Sequence, residues 1–544
     1  MVQHTYRGRP GMARVQGRVL AYAAAEPTQG TCRHPRRRAG SVLLAEIRMN
    51  TLLRLFLEAI LWTLWFLRRV ISVDGRLYIF LNAPIFQPYL AYVGRMRARV
   101  AFLKASTSCP AYVEFLKAEG YKASGKWRLS DLPAMTKENY IKRYSIEQRC
   151  YGGAIPKSGV VIDESSGSTG QPNNWVRSAA ERSDVKRILQ LNYQLVFRDS
   201  GKMLLNCFAL GPWATGMNVS MSLVDVGIMK SIGPDKAKLI NTLKLFGPKY
   251  QYLIFGYPPF IRSVVDECDL DLTPYHIDFI VGGEGVSEAL RDHLLRKAST
   301  VISSYGASDL EINIGVETPT TIGLRRALLS RPELCRELFG RDSPPMIFQY
   351  NALDYVIETN EDGELLVTIG RQSGAAPKIR YNIRDSGGTY TFRELNKRLS
   401  AHGMRLTDFA SRTSHFPFLF VYGRNDSSVP FYGAKVFPSD IEQVLSASPM
   451  LHDAVSTFQL ATTEDAQLTS FLHVHLERAL GNGAVQLDDA VLHGEMFEGM
   501  KRVNQDFREV SRLFDPKQVI VHVHDHDTGP FQGRDIRIKN KYIA

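Results

Sequence analysis

Residues 163–172 read DESSGSTGQP, directly after the apolar stretch Ser158–Ile162. That order predicts a strand ending in a loop shaped to hold phosphate. Gly167 and Gly170 let the backbone approach a ligand closely. Ser165, Ser166, Ser168 and Thr169 bring hydroxyl donors, and successive backbone N–H groups can form an anion-binding nest. Composition alone favours a solvated surface loop. The spacing is neither G-x-x-x-x-G-K-[ST] nor G-x-G-x-x-G, which excludes the two common nucleotide-binding loops.

Outward from this loop, short apolar runs alternate with amphipathic stretches. Val160–Ile162, Lys202–Cys207, Gly227–Ile228, Tyr252–Ile254, Phe279–Val281 and Val301–Ser304 are predicted strands. Ser183–Phe197, Lys236–Phe246 and Ser287–Lys297 are predicted helices between them. Such alternation predicts α/β layers. Upstream, Ala111–Glu119 and Lys137–Gln148 read as helices. Downstream, Asp354–Glu358 and Gly363–Ile369 flank Asn360-Glu361-Asp362 as a hairpin, and Phe418–Val421 is a further strand. Beyond residue 425 a small α+β part is expected. It has helices at Pro438–Ser446 and Glu495–Val510 and strands at Ala454–Leu460, Thr469–His475 and Gln518–His524.

The chain's 544 residues exceed a single core and predict at least two domains. Hydrophobic residues at 44% and charged residues at 22% are ordinary for a globular protein, so general disorder is excluded. Six cysteines (32, 109, 150, 207, 268 and 335) include no C-x-x-C pair, which argues against zinc knuckles and for a reducing compartment. Of the net charge of +12, residues 1–48 carry +7, from nine arginines against Glu26 and Glu46. The rest has no basic stripe, so no nucleic-acid partner is expected. Residues 1–48 read as a solvated basic leader. A lipid- or nucleic-acid-binding arm, an over-called start before Met49 and a transit peptide are the alternatives.

Leu52–Leu67 is strongly apolar but shorter than the ~20 residues a membrane span needs. Arg54 and Glu58 stand four apart and can pair on one helix face. With Trp62, Trp65, Arg68 and Arg69 the segment suits a helix lying in a membrane interface; burial against the large domain fits equally well.

Ser165–Pro172 resembles the phosphate loop of the adenylate-forming enzymes, the acyl-CoA synthetase and adenylation-domain superfamily, in the form found in its phenylacetate–CoA ligase branch. Further segments follow in that family's order. Gly282-Gly283-Glu284 resembles the adenine-contacting strand end, and Tyr305-Gly306-Ala307-Ser308-Asp309 the tyrosine–glycine motif. Arg380 to Asp385 resembles the ribose-holding segment, and Gly423-Arg424-Asn425-Asp426 the hinge. Leu129 to Lys137 resembles the branch's lead-in.

Charge and apolar pattern give a basic leader over 1–48 and an apolar lead-in over 49–99; the resemblance covers about 100–544 and implies a large ATP- and acyl-binding domain over 100–424 and a mobile lid over 425–544. It implies ATP, Mg²⁺ and CoA as cofactors and co-substrate. Ser165–Gly170 would wrap the phosphates, and Gly283, Glu284, Tyr305, Gly306 and Ser308 would surround the adenine end. Asp385 and Arg424 would grip the ribose. Thr169 and Asp309 would sit near Mg²⁺, and Asp426 would be the hinge. Gly433 would line the acceptor tunnel, with Trp213 and Gly216 in the acid pocket. The implied reaction converts a carboxylic acid and ATP to acyl-AMP, then passes the acyl group to a nucleophile, CoA first. Amide formation and carrier-protein loading are the enzymatic alternatives; a non-catalytic nucleotide- or acyl-binding relative is the alternative of another class. The expected location is cytoplasmic, with membrane-peripheral contact and a homodimer left open.

Three departures matter. Gln171 stands where the family's loop usually has lysine, and Asp309 where it more often has glutamate. In Gly533-Arg534-Asp535-Ile536-Arg537, arginine occupies the position of the catalytic lysine, leaving Arg534 and Lys539 as candidate cations. Separately, His522, His524 and His526 alternate and so predict one face of a strand. A single strand rarely supplies a full metal shell, so the expectation is a solvated edge strand.

Overall fold

The computed structural model describes residues 52–60, 63, 83–122, 127–164, 173–197, 201–410, 413–424, 429–432, 434–465, 469–479, 489–512, 514–533 and 543. The phosphate loop Ser165–Gly170 with Gln171, and also Asp426, Gly433, Arg534, Lys539 and residues 1–48, lie outside the described residues.

The chain is a mixed α/β protein. Strands β1 (Val160–Glu164) and β2 (Asn174–Ser178) flank the phosphate-loop segment and pair antiparallel. Then come β3 (Met203–Asn206), β4 (Ile228–Ser231), β5 (Gln251–Gly256), β6 (His276–Gly282), β7 (Thr300–Tyr305) and β8 (Gly315–Val316). They are followed by β9 (Met346–Tyr350), β10 (Tyr355–Thr359), β11 (Glu364–Ile369), β12 (Tyr381–Tyr390) and β13 (Phe418–Arg424). Strands β3 to β13 form an 11-stranded sheet in the order β10-β11-β12-β13-β9-β8-β7-β6-β5-β3-β4. The stretch from β4 through β7 is parallel and the rest antiparallel, with the change at β7 and β8. The strands β3, β5 and β6 are nearly continuous apolar runs because helices cover both faces there.

The helix Lys236–Phe246 has the bounds its sequence predicts, because both ends are capped. Asp235 accepts the Lys238 N–H at 2.9 Å, and Gly247 takes φ +68°. The expected helix Lys137–Gln148 is instead broken. Thr136 caps one turn, Lys137–Ile141, and Ser145 opens a second, Ile146–Arg149, by a reciprocal bond pair with Gln148. The expected helix Glu495–Val510 likewise splits into Asp489–Val503 and Gln505–Val510. Asn504 caps the second, accepting the Phe507 N–H at 2.9 Å.

Residues 52–60 are helical. Arg54 and Glu58 do pair, at 3.5 Å, and Arg54 donates to Thr107 at 3.1 Å. Leu57 is buried in the main core while Leu52, Leu55 and Phe56 are exposed. No described helix is long and apolar enough to cross a membrane. The five described cysteines form no disulfide.

After the large sheet, β14 (Val429–Phe431) and β15 (Ala434–Val436) form a hairpin. The strands β16 (Val455–Glu464), β17 (Ser470–Arg478) and β18 (Val519–His524) form a separate three-stranded sheet. Its inner face packs with the helices Pro438–Ala447 and Asp489–Val503 around Phe431, Leu472, Val474, Met496 and Phe507. This cap meets the large sheet's layer through Arg508, whose guanidinium lies 3.1 Å from Asp342, and through a 3.2 Å hydroxyl contact between Ser446 and Ser287.

Candidate active site

A cavity of about 430 Å³ opens where β3, β5, β6 and β7 end, beside the point where the sheet changes from parallel to antiparallel. Loops at the C-terminal ends of parallel strands are where open α/β sheets bind ligands, since backbone N–H groups and loop side chains converge there. The helix Pro438–Ala447 of the cap covers it, contributing Pro438, Ser439, Glu442 and Gln443 to the wall.

Most sequence-predicted residues in described regions meet in this cavity. Gly283, Glu284, Tyr305, Gly306, Ser308, Asp309, Trp213 and Asp385 all line it. Gly283 is there because nothing larger fits: it takes φ +86°, and a Cβ would lie 2.4 Å from the Tyr257 ring. Asp385 is aimed inward by a bulge in β12, where the pairing with β11 slips between Glu364 and Leu366. The preceding Arg384 is left-handed at φ +67°, its N–H held by Asn382 at 2.6 Å. Across the ladder Asp385 pairs with Arg424, so the two expected ribose-gripping positions are backbone partners. The Tyr305 hydroxyl donates to the Asp385 carboxylate, which ties the end of β7 to β12. Gly216 is a correction. It is not on the cavity wall; a Cβ there would sit 2.1 Å from the Ala209 carbonyl oxygen, so its smallness serves helix packing.

Lys137 and Arg177 carry site roles that the motif reading did not assign. Met135 bonds into the edge of β12, through its N–H to Arg380 and its carbonyl to Asn382, and this brings Lys137 to the cavity. There its ammonium lies 3.0 Å from the Asp309 carboxylate, to which the Tyr381 hydroxyl also donates at 3.3 Å. The buried Arg177 on β2 clamps the region. It contacts Asp163 at 3.3 Å and Glu181 at 3.1 Å, and donates to the carbonyls of Ser308 and Leu310, the former being the wall residue. Lys378 donates to the Asp309 carbonyl and sits 3.6 Å over the Trp175 ring. Burial, helped by Arg177, holds its ammonium well below the ordinary lysine range. The only sequence signal for this clamp is the i, i+4 spacing of Arg177 and Glu181, which is common on helices and points to no site.

The cavity wall carries the acids Glu284, Asp309 and Asp385 together with Tyr193, Phe208, Val219, Leu223 and Phe255, which pack in one apolar cluster. Glu442 reaches in from the cap, and burial together with Glu284 pushes its carboxyl up to about 8. Asp309 is an incomplete fit for a resident metal, since its carboxylate is already charge-paired with Lys137. The other expected metal position, Thr169, is outside the described residues.

The sequence matches no family model and no curated protein. Among solved structures, the chain resembles 2-hydroxyisobutyryl-CoA ligase in its postadenylation state with 2-HIB-AMP, at TM-score 0.61 and 12% identity over 83% of this chain and 88% of that one. It also resembles the same ligase with 2-HIB-AMP and CoA in the thioesterification state, at TM-score 0.50 and 13% identity over 85% and 90%. At such identity the likeness establishes the fold.

Proposed function

We propose that the protein is an ATP-dependent, adenylate-forming ligase that activates an apolar carboxylic acid and passes it to CoA. The observation that carries this is the cavity at the strand ends, lined by Gly283, Tyr305 and Asp385 and by an apolar cluster, in a fold shared with ligases solved with acyl-AMP. The substrate carboxylate oxygen attacks the α-phosphorus of ATP, the bond to the β-phosphate oxygen breaks, and acyl-AMP and pyrophosphate result. The thiolate of CoA then attacks the acyl carbon and AMP leaves. The proposed roles follow the residues' chemistry. Asp385 accepts ribose hydroxyls, exchanging its Tyr305 partner for the sugar. Gly283 leaves room for the purine, with Glu284 and Tyr305 at its edge.

Ser165–Gly170 would cradle the β- and γ-phosphates, and Mg²⁺ arrives with ATP as part of the substrate. The pairing of Asp309 with Lys137 leaves Asp309 a poor holder for a resident metal beside Thr169. The Lys137 ammonium on the cavity wall would meet phosphate charge only by leaving its 3.0 Å pair with Asp309, so Arg534 or Lys539 from the C-terminal segment is the proposed cation. Asp426 is the proposed hinge on which residues 425–544 turn between half-reactions, Gly433 lines the acceptor's path, and Trp213 borders the acid. Within the superfamily, the lead-in Leu129–Lys137 and the loop Ser165–Pro172 favour the phenylacetate–CoA ligase branch.

The test is adenylate trapping. The purified protein is incubated with ATP and a mixed panel of carboxylic acids, and acyl-AMP is read by mass spectrometry together with pyrophosphate release. Apolar or aromatic acids should give adenylate, and added CoA should convert it to thioester. ATP binding without pyrophosphate from any acid would instead show a non-catalytic binding protein. Adenylate that ignores CoA but acylates amines or a carrier protein would move the acceptor, not the first half-reaction.

A further inference from the structure

β18 is the edge strand of the cap sheet, as its sequence predicts, and its half-buried histidines stand beside a second histidine pair on β17. β18 ends at His524 and the chain turns, so His526 leaves the row. The adjacent strand supplies replacements. β17 carries its own H-x-H, His473 and His475, and runs parallel to β18 with His475 opposite His522 and Glu477 opposite His524. Paired residues and their i±2 neighbours share a face, so four imidazoles stand together on the outer side of the cap sheet. The opposite side is Leu472, Val474, Leu476 and Val519, packed in the cap's core or buried beside it.

The nitrogens are spaced for a shared cation. Nδ1 of His473 lies 3.0 Å from Nε2 of His522, and Nδ1 of His475 lies 3.0 Å from Nε2 of His524. One ring nitrogen each from His473, His475 and His522 fall within 4.8 Å of one another. Nitrogens placed tetrahedrally at ~2.0–2.1 Å from a zinc ion stand ~3.3 Å apart, close to the 3.0 Å His473–His522 spacing; His524 stands outside the group of three and joins it through its 3.0 Å contact with His475. The Thr463 hydroxyl, 2.8 Å from Nε2 of His473, can accept that N–H and leave Nδ1 with its lone pair facing the cluster.

We propose that His473, His475 and His522, with His524 as the fourth ligand, bind one transition-metal cation of the Zn²⁺ class on the outer face of the β16–β17–β18 sheet. The donor set defines the class. Imidazole suits Zn²⁺, Co²⁺, Ni²⁺ and Cu²⁺, whereas Mg²⁺ and Ca²⁺ require oxygen, so the Mg²⁺ of ATP does not compete. The cation would staple β17 to β18 at the point where the chain leaves the sheet. His524 is already wedged there: a Cβ on Gly529 would lie 2.4 Å from its Nδ1, and the Phe531 ring packs edge-on at 5.7 Å. From this turn the chain runs into 534–541, so the site anchors the base of the segment holding the candidate catalytic cations.

The experiment is a Co²⁺ titration of chelator-stripped full-length protein in millimolar Mg²⁺, read by visible absorption and followed by Zn²⁺ displacement, with Zn²⁺ stoichiometry by equilibrium dialysis. The expected result is one equivalent of Zn²⁺ per chain and intense tetrahedral Co²⁺ bands. His473→Gln and His522→Gln should each raise the Kd at least tenfold. His493→Gln, on the helix Asp489–Val503, should not. Circular dichroism and melting of the metal-free variants separate ligand loss from misfolding, and His475→Asn replaces any variant that fails to fold. Zn²⁺ binding that is no stronger in the native chain than in the His473→Gln/His522→Gln double variant would overturn the proposal, as would Co²⁺ spectra lacking tetrahedral bands.

Discussion

Replacing Glu442 by Gln should remove a pH-dependent opening of the cap. Glu442 lies on the cap helix Pro438–Ala447 and lines the cavity together with Glu284 and Arg325 of the large layer. Burial first, and Glu284 second, raise its carboxyl from the ordinary 4.5 to about 8, with Arg325 opposing. A carboxyl raised in the closed protein costs nothing while protonated in both open and closed forms. The cost begins as pH climbs past the ordinary value and is complete above about 8. Each unit corresponds to ~1.4 kcal/mol, which sets an upper bound of ~4–5 kcal/mol for ionising Glu442 with the cap shut. Water reaching a half-buried carboxylate reduces this to ~2 kcal/mol, about thirtyfold in the closed-to-open ratio.

Hydrogen exchange by mass spectrometry reads that ratio directly. In the native chain, protection of peptides covering 438–447 and 284–295 should fall between pH 5.5 and 8.5, after correction for the intrinsic exchange rate. In Glu442→Gln it should stay at the low-pH level throughout. Flat protection in the native chain across this range would refute the reasoning, as would an equal decline in the variant.

Three other outcomes are expected. Asp385→Ala should weaken ATP binding by ~3 kcal/mol or more, since two charge-assisted hydrogen bonds to the ribose are lost; unchanged affinity in calorimetry would remove Asp385 from that role. Arg177→Ala strips a buried cation from Asp163, Glu181 and two carbonyls, so urea unfolding should show a loss of ~3–5 kcal/mol, whereas an unchanged midpoint would mean the clamp contributes nothing. Arg534→Ala and Lys539→Ala, assayed for adenylate formation and for attack on supplied acyl-AMP, should differ. The variant losing two to three decades in the first step alone identifies the catalytic cation, and full adenylation by both would leave the segment without a catalytic role.

Much of the architecture was legible in the chain. The strands β5, β6 and β7 and the helix Lys236–Phe246 are bounded by strong local signals: continuous apolar runs, an Asp cap and a terminal glycine. The two helices drawn too long, 137–148 and 495–510, failed at Ser145 and Asn504. These polar residues look tolerable within a helix but act as caps once the tertiary fold bends the chain there. The strand β2 and the two-residue β8 went unread because their sequences carry no alternation of their own; each exists by pairing with a neighbour already in place.

Local chemistry determined which residue types gather at the strand ends: the glycines 282 and 283, the Tyr305–Asp309 motif and Asp385 are all visible in a one-dimensional reading. Only the tertiary structure decided what faces what. It set Lys137 against Asp309 across 172 positions of chain and Glu442 into a cavity whose other acids are at least 57 positions away. It also joined two H-x-H pairs, 47 residues apart between His475 and His522, into one face. Caps, turns and apolar periodicity act within a few residues and are written in sequence. Charge pairing and shared ligation depend on distance in space, and strand order, which no local signal encodes, sets that distance.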